Sequence, residues 1–223
     1  MKTKVMVPPV FGWLQGALND SEVALVWDCI NRNEGDTNKP NLVGQVGTSN
    51  VLHDEGNLIW KEMILPLVKV YGQQFSHKWS RMPLIYQEDE NNGAEPFLEQ
   101  LWVNYQSAGE YQPIHNHGGL YSFVIWLKEP VEHDDQIDMP NSKGASKPFN
   151  NSFWFNYTNT LGDINTYKYP LGKKWENHIL FFPAPLHHTV SPFFESDEIR
   201  MSVSGNVSLR LFHTDGPKNR DLI

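Results

Sequence analysis

The stretch Leu101-Trp-Val-Asn-Tyr105-Gln-Ser-Ala-Gly109-Glu-Tyr-Gln-Pro-Ile-His115-Asn-His117-Gly-Gly-Leu-Tyr121-Ser-Phe-Val-Ile-Trp-Leu127 decides the fold. Each end is a short run of aromatic and β-branched residues, and Gly, Pro and Asn break the chain between them. Both ends therefore read as strands. The intervening polar turn carries His115 and His117. Side chains two positions apart on an extended chain project to the same side. The two imidazoles are thus either a pair of metal ligands or the solvated side chains of a turn.

Further strands follow toward the C-terminus. Ser152-Phe-Trp-Phe-Asn-Tyr157, His178-Ile-Leu-Phe-Phe182 and Arg200-Met-Ser-Val-Ser204 have the same composition and the same turn-rich borders. Successive strands with no helical period between them indicate an all-β sandwich or barrel. Residues 129–150 form a polar segment dotted with Pro, Gly and Ser. It exceeds the ~12–15 residues of a plain loop, which marks it as a mobile segment or a lid over a site.

Toward the N-terminus the period changes to that of helices. Asn19 or Ser21 caps a helix through Glu22–Ile30, with Gly35 past its end. A second helix spans about Asn57–Phe75, where Ile59, Met63, Leu67 and Val70 fall on one face. Pro66 inside it predicts a kink or break. Residues 86–99 read as an acidic connection. The expected organisation is one domain over 1–223, with a mostly helical flank at 1–99 and a β core at 100–215.

The composition limits the partners. The 223 residues carry 18 Lys+Arg against 26 Asp+Glu, a net charge of −8, which argues against nucleic acid as a general partner. One cysteine, Cys29, excludes an internal disulfide and leaves nitrogen and oxygen as the main metal donors. No run approaches the ~18 apolar residues of a membrane span, and no targeting signal is visible, so a cytoplasmic protein is expected.

Two more strings bear on chemistry. In Phe181-Phe-Pro-Ala-Pro-Leu-His187-His188-Thr-Val190, adjacent residues of a strand face opposite sides, so at most one of the two histidines joins a site on one face. In Arg200-Met-Ser202, the guanidinium and hydroxyl share a strand face and make a fork suited to a carboxylate. Trp102, Trp126, Phe153 and Trp154 are candidates for a pocket lining, although aromatic residues at strand spacing more often form core.

The order Trp-Val-Asn, His-x-His, Phe-Pro, His-x-Val, Arg-x-Ser resembles the iron(II)- and 2-oxoglutarate-dependent oxygenases, in particular a short group frequent among bacteriophage proteins. The resemblance covers residues 100–206. It implies a double-stranded β-helix (jelly-roll, cupin-like) core with N-terminal helices. It also implies Fe(II) as cofactor, 2-oxoglutarate and O₂ as co-substrates, and a small-molecule or peptide substrate, with prolyl or other amino-acid residues among the candidates. By the same resemblance His115 and His188 are iron ligands, and Arg200 with Ser202 binds the far carboxylate of 2-oxoglutarate. Tyr105 lies where related hydroxylases place a tyrosine that reaches that carboxylate.

One position departs from the family pattern. Where the family has His-x-Asp or His-x-Glu, this chain has His117. The third ligand is then His117 itself, a carboxylate of the long loop (Glu132, Asp134 or Asp135), or an open position, with His117 favoured. Two other readings use the same residues. A cupin-type metal protein would share the barrel without using 2-oxoglutarate. A structural phage module would need no metal.

Overall fold

The computed structural model describes residues 11–33, 37–38, 42–75 and 92–213. Ten strands form two antiparallel sheets. The larger has the order β1 (Leu14–Ala17), β8 (His178–Pro183), β5 (Tyr121–Lys128), β10 (Arg200–His213), β3 (Asn92–Gln106), β2 (Thr48–Val51). The smaller has the order β4 (Gln112–His115), β9 (His187–Val190), β6 (Ser152–Thr158), β7 (Ile164–Pro170). Two facing antiparallel sheets with few helices make a jelly roll, the architecture expected for the core.

The large sheet packs on both faces, and each face has its own apolar core. Between the sheets pack Val124, Trp126, Phe153, Phe155, Leu180 and Phe182. On the outer face, Leu101, Val103, Phe123, Ile125, Phe181 and Val203 pack against two helices. Residues one apart in sequence, such as Val124 and Phe123, thus fall into different cores, as the two-residue period of a strand requires.

Helix α1 (Asp20–Arg32) starts at Asn19, whose side chain accepts from the amides of Ser21 and Glu22, both at 3.0 Å. The Glu22 carboxylate accepts in return from the Asn19 amide at 2.8 Å, which completes a capping box. The helix ends at Arg32, and Gly35 lies outside the described residues. Helix α2 (Leu65–Phe75) begins one residue before Pro66. The missing amide of Pro66 is accommodated by a π-helical turn, Trp60–Ile64, closed by the Leu65 amide on the Trp60 carbonyl. The expected break is therefore a change of helix type.

The flank is less helical than its sequence pattern suggests. Among the described residues before 92, β1 and β2 extend the large sheet at both edges. Residues 92–99, read as part of a connection, form the first half of β3, and residues 86–91 lie outside the described residues. The expected boundary at residues 99/100 thus falls within a strand.

The segment 129–150 is fastened down. Gln136 exchanges two hydrogen bonds with the backbone of Phe194, donating to its carbonyl at 3.1 Å and accepting from its amide at 2.8 Å. The Ser142 hydroxyl accepts from the amides of Phe149 and Asn150, both at 2.9 Å. The buried His133 bonds the Asn150 carbonyl at 2.8 Å. No described helix is long and apolar enough to cross a membrane.

Candidate metal centre

Three imidazoles converge at one end of the sandwich. The register of β4 and β9 sets His115 directly opposite His188. His117 lies two residues beyond His115, and its amide donates to the Ala184 carbonyl in the β8–β9 turn at 2.9 Å. The chain then turns through Gly119, whose φ of +85° is the left-handed region open to glycine. A Cβ there would lie 2.8 Å from the Val207 carbonyl oxygen. This close approach seats the His117 turn against β10.

One ring nitrogen from each of His115, His117 and His188 lies within 4.8 Å of the other two, and among the described residues no carboxylate joins the group. The Nε2 atoms of His117 and His188 are 3.3 Å apart. The orientation of two rings follows from their partners. A carbonyl only accepts, so Nδ1–H of His115 donates to the Pro113 carbonyl at 2.7 Å, and Nδ1–H of His188 donates to the Leu186 carbonyl at 3.0 Å. Each Nε2 therefore keeps its lone pair toward the shared point. Backbone carbonyls commonly fix metal-binding histidines in this way.

Burial keeps the three rings neutral. It lowers the pKa of His117 to about 4, with the neighbouring His115 adding to the shift. It lowers that of His188 well below the usual value, and that of His115 in the same direction against the bond to Pro113. Neutral, convergent imidazoles fit a divalent transition metal, and nitrogen donors suit Fe, Zn, Cu and Ni. His187, one residue away, is exposed on the opposite face.

The histidines line a cavity of about 280 Å³ between the sheets. Its floor is polar. Arg200, Ser202, Ser204 and Asn206 come from β10, and Gln100, Trp102 and Asn104 come from β3. These are alternate residues of two paired strands, with Ser202 opposite Asn104 and Asn206 opposite Gln100. Asn38, Leu42, Val43, Asn116 and Gly118 are also among the lining residues, and Val43 is exposed. A larger apolar groove, about 590 Å³, includes Ile114 and His187 and so lies behind the β4–β9 pair, away from the convergent nitrogens.

Arg200 is 1% exposed and heavily engaged. Its Nε donates to Glu129 Oε2 at 3.1 Å. One terminal nitrogen donates to Gln106 Oε1 at 3.1 Å and to the Ser191 carbonyl at 3.2 Å, and the other to Asn151 Oδ1. A guanidinium has five N–H donors, so one remains. Glu129 is itself fully buried, and its second oxygen, Oε1, has no hydrogen-bond partner among the described residues. Burial pushes its carboxyl up to about 7, against the pull of Arg200.

Residues 100–206 match the model of a family described as "Putative 2OG-Fe(II) oxygenase". The match spans just under half of the chain and makes these residues similar to a 2-oxoglutarate–Fe(II) oxygenase domain. Two solved structures share the fold of this chain. The non-heme alpha-ketoglutarate-dependent epimerase SnoN of nogalamycin biosynthesis aligns at TM-score 0.54 and 13% identity, over 94% of this chain and 86% of that one. A 2OG-Fe(II) oxygenase family oxidoreductase from Burkholderia pseudomallei aligns at TM-score 0.51 and 13% identity, over 88% and 85%. No curated protein matches the chain.

The structure brings five of the six expected site residues to one cavity: His115, His117, His188, Arg200 and Ser202. It does not bring Tyr105, which packs on the helix-side core with Leu101 and Val103. Tyr105 lies between the cavity-facing Asn104 and the Arg200-bound Gln106, so strand alternation turns it away. The loop carboxylates are also elsewhere: Asp134 and Asp135 are exposed, and Glu132 accepts from the Lys173 amide at 2.9 Å. No residue of 129–150 lines the cavity, so that segment does not cover it. Trp102, Trp126 and Phe153, which strand spacing alone assigns more readily to core, do line it, whereas Trp154 stacks outside on Phe149 at 6.2 Å. Sequence reasoning missed Glu129, Gln106, Asn151 and the polar floor. The floor had a signal, polar residues at alternate positions from Arg200 to Asn206. The Arg200 partners had none, being 49 to 94 residues distant.

Proposed function

We propose that the protein is an Fe(II)- and 2-oxoglutarate-dependent dioxygenase that hydroxylates an amino-acid residue or a related small molecule. His115, His117 and His188 hold the iron, and Arg200 and Ser202 anchor the far carboxylate of 2-oxoglutarate. The observation that carries this reading is the convergence of three neutral ring nitrogens on a cavity whose opposite wall presents a guanidinium. Iron, when bound, supplies oxidative chemistry in which 2-oxoglutarate is decarboxylated to succinate and CO₂.

The chain's own residues bind, orient and exclude. The carbonyls of Pro113 and Leu186 hold two imidazoles in the ligating tautomer. Arg200 is fixed by four partners, so its remaining N–H points one way, and the Ser202 hydroxyl adds a second donor on the same strand face. Trp126, Phe153 and Phe182 close the inner end against water. Leu42 and Val43 stand at the mouth. They are held there by the Gln112 side chain, which accepts from the Gly44 amide at 2.7 Å, and they are placed to meet the substrate.

The test is 2-oxoglutarate turnover with Fe(II), read as succinate. Arg200→Ala should abolish turnover while leaving metal bound, and His188→Ala should remove the metal. A thermal shift with a divalent metal that appears equally with and without 2-oxoglutarate would favour a cupin-type protein instead. No bound metal and no effect of a chelator would favour a structural module.

A further inference from the structure

The electrostatics of the cavity carry one step beyond its family. Among the described lining residues Arg200 is the only Lys, Arg, Asp or Glu. Its charge is met at 3.1 Å by Glu129, and both side chains are excluded from solvent. Glu176 and Lys173, the further charges that act on Glu129, bond each other at 3.3 Å. The three imidazoles are neutral. At pH 8, above the value of about 7 at which Glu129 ionises, the wall as a whole therefore carries no net charge before anything binds.

We propose that Glu129 is a charge-setting residue: it cancels Arg200, so that a divalent metal on three histidines is balanced by a dianionic 2-oxo acid and by nothing else in the wall. This rests on the reading of the cavity as an iron and 2-oxoglutarate site. Arg200 then acts on the co-substrate as a directed N–H donor and not as a free cation. Unlike buried surroundings that merely tolerate a pair, this arrangement makes the charge at Glu129 interchangeable with a charge on the metal shell. A negative charge added at position 117 and one removed at position 129 should offset each other.

The experiment is a double-variant cycle with Glu129→Gln and His117→Glu, with His117→Gln as the neutral control. Glu129→Gln keeps an oxygen for Arg200 Nε–H and changes only the charge. Calorimetry at pH 8 measures Mn(II) alone, then 2-oxoglutarate on the Mn(II)-loaded protein without turnover. For the wall charges to act as described, Glu129→Gln should bind 2-oxoglutarate about tenfold tighter and Mn(II) about tenfold weaker than wild type. His117→Glu should do the reverse, and the double variant should return to within about threefold of wild type on both. A double variant no nearer wild type than His117→Glu on either ligand overturns the proposal. Should Glu129→Gln not fold, the comparison of His117→Glu with His117→Gln decides: equal affinity for 2-oxoglutarate overturns it, and weaker affinity in the Glu variant supports it. If wild type binds Mn(II) but no 2-oxoglutarate, the functional reading itself fails, and the proposal with it.

Discussion

Removing Arg200 should cost more stability than removing Arg200 and Glu129 together. Arg200→Met leaves Glu129 fully buried, with one oxygen already lacking a partner and the other losing its only cation. Breaking one side of a buried ion pair costs about 3–5 kcal/mol. The acceptors on Gln106, Ser191 and Asn151 lose donors as well. In a chain of this size about 4 kcal/mol lowers Tm by roughly 8–16 °C. Adding Glu129→Met removes the stranded carboxylate and should recover at least about 2 kcal/mol, because an apolar pair replaces a buried ion pair at little net cost.

The assay is urea unfolding of the metal-free protein at pH 8.5, wild type and three variants. Glu129 ionises at about 7, so it is charged there. Its folded pKa lies above the unfolded value. Its contribution is therefore fully present below about 4.5 and is lost as pH rises through about 7. Without Arg200 the carboxyl is raised further, so the Arg200→Met deficit should shrink when measured at pH 5.5. The decisive outcome is the sign of Glu129→Met: destabilising in wild type, stabilising in Arg200→Met. If it destabilises both by similar amounts, the two residues are not coupled as an ion pair, and the account of the wall fails.

Other expectations follow from the same contacts. His117 should contribute a loss of stability to the metal-free protein as pH falls from 7.5 to 5, opposite in sign to the contribution of Glu129, because native His117 resists protonation down to about 4 while the unfolded residue protonates near 6.5. The difference is about 2 kcal/mol at pH 5 from this residue alone, lost as pH falls, and unfolding curves of His117→Gln should show a shallower acid limb. Loading the protein with Mn(II) or Co(II) should raise Tm by mass action, and His188→Ala should abolish that shift while leaving circular dichroism unchanged. Gln136→Ala removes both bonds to Phe194 and should cost about 1–3 kcal/mol. Because Gln136 does not line the cavity, calorimetric affinity for 2-oxoglutarate should stay at the wild-type value.

The five central strands were legible because each is a compact aromatic and β-branched run with turn residues at both ends. Strand β7 was not: Asn165-Thr-Tyr-Lys-Tyr169 alternates, but its exposed face is polar and the run lacks a dense apolar core. Strands β1 and β2 are four residues each, too short for a period to register. The loop 129–150 looked mobile because its stabilising bonds join side chains to backbone groups distant in sequence. Gln136 and Phe194, 58 residues apart, are the clearest case.

The site residues divide along the same physical line. Adjacent histidines at 187 and 188 could be assigned to opposite faces from alternation alone, and the structure buries His188 at the cavity and exposes His187. Tyr105 and Arg200 needed more than alternation, because they lie on different strands and their relative faces depend on register. The pairing sets Arg200 opposite Gln106 and Ser202 opposite Asn104. Directly opposed residues share a face, so once Arg200 and Ser202 look inward, Trp102, Asn104 and Gln106 must as well, and Tyr105 must look outward. A shift of one residue in the β3–β10 register would have exchanged Tyr105 for Asn104 in the cavity wall. That register is set by 14 strand pairings and by the apolar outer face of Leu101 and Val103 against the helices, a long-range fit that no local motif encodes.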